Sequence, residues 1–219
     1  MSVRERYDTD LETLNNKIVE LGKFAQQALK SSLTALDHKD IEKSLLIMDE
    51  DVKANRIEEE INDLAILLIA KQQPVATDLR RIIVAIKIAA DLERIADFAV
   101  NIAKSTIRIG DDSSVSSIEN VHKMYNITEE MIELVLEAYT DEDVVKAKKI
   151  AELDDGVDQL YGETIQKLLS SSASQPDKLA QITQLSFVCR YLERAADHVT
   201  NISENIFYLV KGKRYDLNK

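Results

Sequence analysis

Leu92-Glu93-Arg94-Ile95-Ala96-Asp97-Phe98-Ala99-Val100-Asn101-Ile102 decides the reading of this chain. It returns without a gap, 100 residues later, as Leu192-Glu193-Arg194-Ala195-Ala196-Asp197-His198-Val199-Thr200-Asn201-Ile202. Glu93, Arg94, Asp97 and Asn101 each have an identical counterpart in Glu193, Arg194, Asp197 and Asn201, while apolar positions exchange Ile for Ala or Phe for His. The polar chemistry repeats more faithfully than the packing. On an α-helix, steps of four residues advance by roughly 40°, so Glu93, Asp97 and Asn101 lie on one slowly winding stripe, as do Glu193, Asp197 and Asn201.

Working outward, the remaining residues favour helices. The 219 residues hold only 5 Gly and 2 Pro against 45% apolar and 31% charged residues, which starves turns and strands. Leu11, Leu14, Ile18, Leu21, Ala25, Ala28, Leu29 and Leu33 recur in steps of three and four and mark a first helix over about 8–36. After a break at His38-Lys39-Asp40, a second helix is predicted to run unbroken from near Asp40 to Gln72. Pro74 is predicted in the first turn of a third helix that carries the signature and stops at Gly110.

Gly110 to Ser117 has linker composition, and Ser116 with Glu119 reads as a capping box opening the second half. There a helix over 117–139, another opened by a Thr140/Asp143 capping box, and a last one after Pro176 ending near Gly212 repeat the plan. Aligning Asp51 with Asp154 and Asn55 with Asp158, 103 residues apart, also brings Ile47 onto Ile150 and Ile57 onto Leu160. The fold class expected is therefore all-α: two tandem three-helix bundles over 1–110 and 117–219, joined by a linker at 111–116, with a frayed polar tail from Lys211.

A net charge of −11 and a pI of about 4.8 argue against nucleic acid, which binds through clustered Lys and Arg. The single cysteine, Cys189, cannot form an internal disulfide and reads as a small buried residue in a reducing compartment. The first ten residues lack the apolar centre of a signal peptide, and no apolar run approaches the roughly 18 residues of a membrane span. A cytoplasmic protein is expected, without direct membrane insertion but able to sit at a membrane through its partners.

Like charges at i, i+4 repel by roughly 0.2–0.5 kcal/mol. Two such pairs amid the near-continuous apolar run from Ile82 to Ile102 therefore call for a neutralising partner. Arg94 and Arg194 point about 100° away from the adjacent Glu and are expected to tie to acids on a neighbouring helix. Glu93 and Asp97 with Asp51, and Glu193 and Asp197 with Asp154 and Asp158, then make oxygen-rich patches of the kind hard cations prefer; a salt-bridge network is the competing reading. A ferritin-like di-iron centre, which needs Glu-x-x-His pairs on facing helices, is disfavoured with only His38, His122 and His198 available. His198, opposite Phe98 in the alignment, reads as a packing substitution. No nucleophile elbow, phosphate-cradling glycine loop or HExxH gives positive support for catalysis.

The tandem Leu-Glu-Arg-x-Ala-Asp-x-x-x-Asn-Ile signature, together with the Gln-Pro corner in Ile69-Ala-Lys-Gln-Gln-Pro-Val-Ala-Thr-Asp-Leu-Arg80, resembles the PhoU family of accessory regulators of bacterial phosphate-specific transport. The resemblance spans nearly the whole chain. It implies two three-helix bundles that bind metal (iron, zinc, manganese or magnesium) at Glu93/Asp97 and Glu193/Asp197, and no enzymatic activity. It further implies a negative regulator of the phosphate-starvation response that links the ATPase subunit of the phosphate ABC transporter to a sensor histidine kinase, commonly as a homodimer. The second half departs from the first where Ser170-Ser-Ser-Ala-Ser-Gln-Pro176 replaces Gln-Gln-Pro and where Tyr161 stands opposite Glu58. A metal-dependent phosphate-ester hydrolase and a purely structural helical adaptor are the alternatives.

Overall fold

The computed structural model of the chain describes residues 3–110 and 118–217. Seven α-helices follow one another among these residues: α1 Val3–His38, α2 Ile41–Glu50, α3 Val52–Gln72, α4 Thr77–Ile109, α5 Ile118–Asp141, α6 Val144–Ser174 and α7 Leu179–Lys211. A 3₁₀ turn, Pro176–Lys178, precedes α7, and the described residues contain no strand. None of these helices is long and apolar enough to cross a membrane. The linker and its Ser116 capping box lie outside the described residues.

The signature helices α4 and α7 pack against each other at the middle of the molecule. Asp91 meets His198, with Nδ1 2.8 Å from the Asp91 Oδ1, while Phe98 stacks on Tyr191 at 6.2 Å between ring centroids. Since Asp91 aligns with Tyr191 and Phe98 with His198, these are two versions of one contact, related by the internal pseudo-twofold. The drift from Phe to His is thus matched by the drift from Asp to Tyr across the seam. Around this pair, α1 with α2 and α3 covers α4, and α5 with α6 covers α7.

One continuous core runs through both halves, with Leu14, Ile18, Ile61, Ile88, Leu92, Ile95, Met124, Leu192 and Ile206 at most 1% exposed. The halves also meet at α1 and α5. A Cβ at Gly22 would collide with the Leu136 side chain, so glycine sets how closely these helices approach. Tyr139 Oη donates to Asn15 Oδ1 at 2.7 Å across the same contact.

Four expectations about the elements need correction. The second helix is not continuous but breaks at Asp51, whose carbonyl accepts from Ala54 N at 2.9 Å and only weakly from Asn55 N at 3.4 Å. Its counterpart α6 runs through, because the residue opposite Glu50 is Leu153, which packs on the core, whereas Asp49-Glu50-Asp51 has no apolar anchor there.

Pro74 lies ahead of α4, not in its first turn: Gln73 closes α3 in a left-handed conformation (φ 46°) and Ala76 also has positive φ (50°), so the chain cannot be helical until Thr77. The cap of α6 is Asp143 itself, accepting from Val145 N at 2.8 Å; Thr140 lies inside α5 and donates to Leu136 O. The tail is not frayed through residue 217. Beyond Gly212 it folds back, setting Tyr215 at a tilt against Phe207 with 5.3 Å between ring centroids and donating from Leu217 N to Glu204 Oε1 at 2.7 Å.

Candidate functional site

Each signature stripe faces the helix that precedes it in the chain, so the repeat builds two patches. In the first, Glu93 and Asp97 of α4 face Asp51 at the α2/α3 break, with Glu58 of α3 nearby. Burial pushes the Glu93 carboxyl up, and the charges of Asp97, Asp51 and Glu58 push the same way against the pull of Arg94. Asp51 is raised by burial and by Asp97, and lowered by Lys104. In the second patch, Glu193 and Asp197 of α7 face Asp154 and Asp158 of α6. All four are raised, each chiefly by burial and then by a neighbouring acid.

Asp154 carries the largest perturbation. It is 6% exposed, and burial pushes its carboxyl to about 7, with Asp197, Asp158 and Asp155 adding repulsion and Thr200 working against it. Its Oδ1 is buried without a hydrogen-bond partner, and so is Oε2 of Glu193. Buried carboxylate oxygens left bare are costly unless something positive completes them.

The arginines act differently from the expectation. Arg94 Nη1 donates to Asp97 Oδ2 at 2.6 Å on its own helix, one turn along the same stripe, and does not reach a neighbouring helix. An i, i+3 pair is within reach of a long side chain even where the adjacent residue is not. Arg194 lowers the acids of its own helix, Glu193 and Asp197, through its charge alone. The cation that holds the second stripe is Arg190, which the sequence reading passed over: it pairs with Glu193 and lies over the Tyr161 ring at 5.9 Å. Its counterpart is Ala90, so the repeat gave no signal, although the i, i+3 spacing to Glu193 was visible.

Asn101 and Asn201 extend the stripes by one further turn and are half-buried; the Asn201 carbonyl accepts from Asn205 Nδ2 at 3.0 Å. Asn55 is an amide where its counterpart Asp158 is a carboxylate, both at exposed positions, so the first patch is poorer by one acid than the second; Glu58 partly makes this up, itself accepting from Asn62 Nδ2 at 2.6 Å. The sequence reading overlooked that Glu119 stands three residues before His122 in the Glu-x-x-His spacing, but His122 Nε2 pairs with Asp37 at 2.9 Å and Glu119 with Lys123 at 2.7 Å. Cys189 is buried in the α7 core, its thiol pushed up to about 12 by burial.

As the side chains stand, no three His, Cys, Asp or Glu among the described residues converge into a ligand set. Arg94 is paired with Asp97 and Arg190 with Glu193. The donor chemistry nonetheless fits a hard cation: every candidate ligand is a carboxylate, Asp51, Glu93, Asp154, Asp158, Glu193 and Asp197 are pushed up chiefly by burial, and two buried oxygens lack partners.

A duplicated all-helical fold whose two equivalent acid stripes face inward defines the class: tandem-repeat helical proteins with paired carboxylate patches and no catalytic constellation in the sequence. The chain belongs to the PhoU family, whose domain model matches it twice, over residues 18–106 and 121–206. It is 37% identical to the phosphate-specific transport system accessory protein PhoU homolog of Clostridium acetobutylicum over 98% of this chain and 99% of that one. It is 28% identical to PhoU of Escherichia coli K12, over 96% and 87% of the two chains. The crystal structure of the phosphate transport system regulatory protein PhoU from Streptococcus pneumoniae superposes with a TM-score of 0.90 at 28% identity, covering 96% of this chain and 99% of that one.

Proposed function

We propose that this protein is a non-catalytic, metal-binding negative regulator of phosphate uptake and of the phosphate-starvation response. Its relatives carry the name of phosphate-specific transport system accessory proteins, which supports a role in regulating phosphate transport. In this reading it couples the ATPase subunit of the phosphate ABC transporter to a sensor histidine kinase, from the cytoplasmic side and as a homodimer.

The observation that carries the metal part is the pair of bare, buried oxygens, Asp154 Oδ1 and Glu193 Oε2, beside Asp158 and Asp197, whose carboxyls burial also pushes up. Asp51, Glu93 and Asp97 in the first patch, and Asp154, Asp158, Glu193 and Asp197 in the second, would hold the cations, which supply the positive charge these acids lack. The chain's own part is to release Arg94 and Arg190 from Asp97 and Glu193, so that the carboxylates are free to turn inward. On a surface of net charge −11, filled patches are local reversals of sign that a partner protein can read.

The test is a variant with Glu93→Gln, Asp97→Asn, Glu193→Gln and Asp197→Asn, expressed in cells grown in high phosphate with a phosphate-starvation reporter. The variant is expected to stay helical by circular dichroism and to lose repression. A folded variant that represses fully would leave the stripes with a structural role only.

A further inference from the structure

A cleft of about 370 Å³ that includes none of the stripe acids opens where the tail folds back beside α4 and α7. Lys87 lines it from α4, Glu204 and Tyr208 line it from one face of α7, and Arg214, Tyr215 and Asp216 line it from the tail. The tail is held on one side by Tyr215 against Phe207 and by Leu217 N on Glu204 Oε1. On the other side Gly212 ends α7 at φ 67°, and a Cβ there would collide with the Arg80 guanidinium, which lies over the Tyr208 ring at 5.9 Å.

The cleft belongs to one half only. At an offset of 100, Lys87 stands opposite Phe187, which stacks on Tyr191 at 6.3 Å, while Glu204 and Tyr208 stand opposite Lys104 and Arg108. The duplication therefore does not account for it, and neither does pairing of its charges. Among the described residues Lys87, Arg214 and Arg80 pair with no carboxylate, whereas Arg56, Arg81, Arg94 and Arg190 each do. Arg80 Nε is also buried without a hydrogen-bond partner. Three cations thus stand at one cleft without counter-ions, in a chain of net charge −11.

We propose that this cleft binds a ribonucleoside monophosphate. A phosphate monoester carries about −1.5 to −2 charge at pH 7, which Lys87 and Arg214 match from opposite walls. Asp216 and Glu204 Oε2 accept from the ribose hydroxyls, as acidic side chains do in dinucleotide sites. Tyr215, 46% exposed, gives the base a ring to pack on. The volume falls at the low end of the roughly 300–1,000 Å³ of small-molecule sites, which suits one nucleotide and not a protein segment. Bare orthophosphate would meet the two acids as well as the two cations, with no hydroxyl-bearing sugar between. The site shares no residue with the carboxylate patches and does not rest on the function proposed above.

The test titrates the full chain singly with AMP, GMP, CMP and UMP by calorimetry, with a chelator present so that no metal bridges a phosphate to the stripes. At least one is expected to bind, and its unphosphorylated nucleoside, ribose 5-phosphate and orthophosphate should each bind at least tenfold more weakly. Lys87→Gln with Arg214→Gln should weaken the nucleotide at least tenfold while circular dichroism stays the same, since neither side chain is in the core. Trypsin cleavage after Lys213 and Arg214 should slow when the nucleotide is bound. The variant with Glu93→Gln, Asp97→Asn, Glu193→Gln and Asp197→Asn should bind it as the native chain does. No binding of any of the four at millimolar concentration overturns the proposal, and so does undiminished binding by the Lys87/Arg214 variant. Equal affinity for orthophosphate or ribose 5-phosphate also overturns it, because the site would then read only an anion or a sugar phosphate. Loss of binding in the folded carboxylate variant would overturn it by moving the nucleotide to the stripes. Each of these results leaves the reporter test of the carboxylate patches standing.

Discussion

Replacing Asp154 by Asn probes the second patch without touching the signature. The Asp154 carboxyl is held at about 7 against an ordinary 3.8. At roughly 1.4 kcal/mol per pH unit, ionising it within the fold at pH 8 costs about 4 kcal/mol relative to the unfolded chain. Water reaching the patch from its open side lowers this, and a buried amide costs about 1 kcal/mol of its own, so the net gain expected at pH 8 is about 1–3 kcal/mol.

The sign of the pH dependence follows from the protons. Between about pH 4 and 7 the folded chain holds a proton at Asp154 that the unfolded chain has lost, so stability falls as pH rises through that window and is flat above it. In urea unfolding with a chelator present, Asp154→Asn should therefore be more stable than the native chain at pH 8 and equal or slightly less stable at pH 5. Manganese at about a hundredfold excess over its Kd should stabilise the native chain by about 2.7 kcal/mol and the variant by much less. A variant destabilised equally at both pH values would refute the reasoning, since Asp154 would then be an ordinary paired acid.

Arg190→Met keeps a side chain of similar length over Tyr161 and removes the charge that ties Glu193, so manganese affinity by titration calorimetry should tighten several-fold; unchanged affinity would mean that Arg190 does not compete for the patch. Gly22→Val places branched carbon where Leu136 already sits and should cost about 1–3 kcal/mol in urea unfolding; an unaffected midpoint would show that α1 and α5 separate freely.

The sequence disclosed the duplication, the helices and the partners of each stripe, because identical polar residues at helical spacing survive as a pattern even where packing drifts. Asp51, Asp154 and Asp158, picked out by the second alignment, lie within reach of the signature carboxylates' charge. What escaped was whatever belongs to one half only. Arg190 stands opposite Ala90, and the break at Asp51 depends on Glu50 standing where α6 has Leu153. Asp91 with His198 was hidden for another reason: the pair lies across the pseudo-twofold, so neither residue matches its own repeat partner. The direction of Arg94 was misjudged because adjacency was weighed and the i, i+3 neighbour Asp97 was not.

The central claim is that the two patches hold cations. Its most direct test is the metal content, by inductively coupled plasma mass spectrometry, of protein purified without chelators, set beside the variant with Glu93→Gln, Asp97→Asn, Glu193→Gln and Asp197→Asn. Bound metal in the native chain, lost from a variant that remains folded, is the result predicted. Equal metal in both proteins, or a native chain that takes up no manganese, iron, zinc or magnesium when these are supplied, would contradict it.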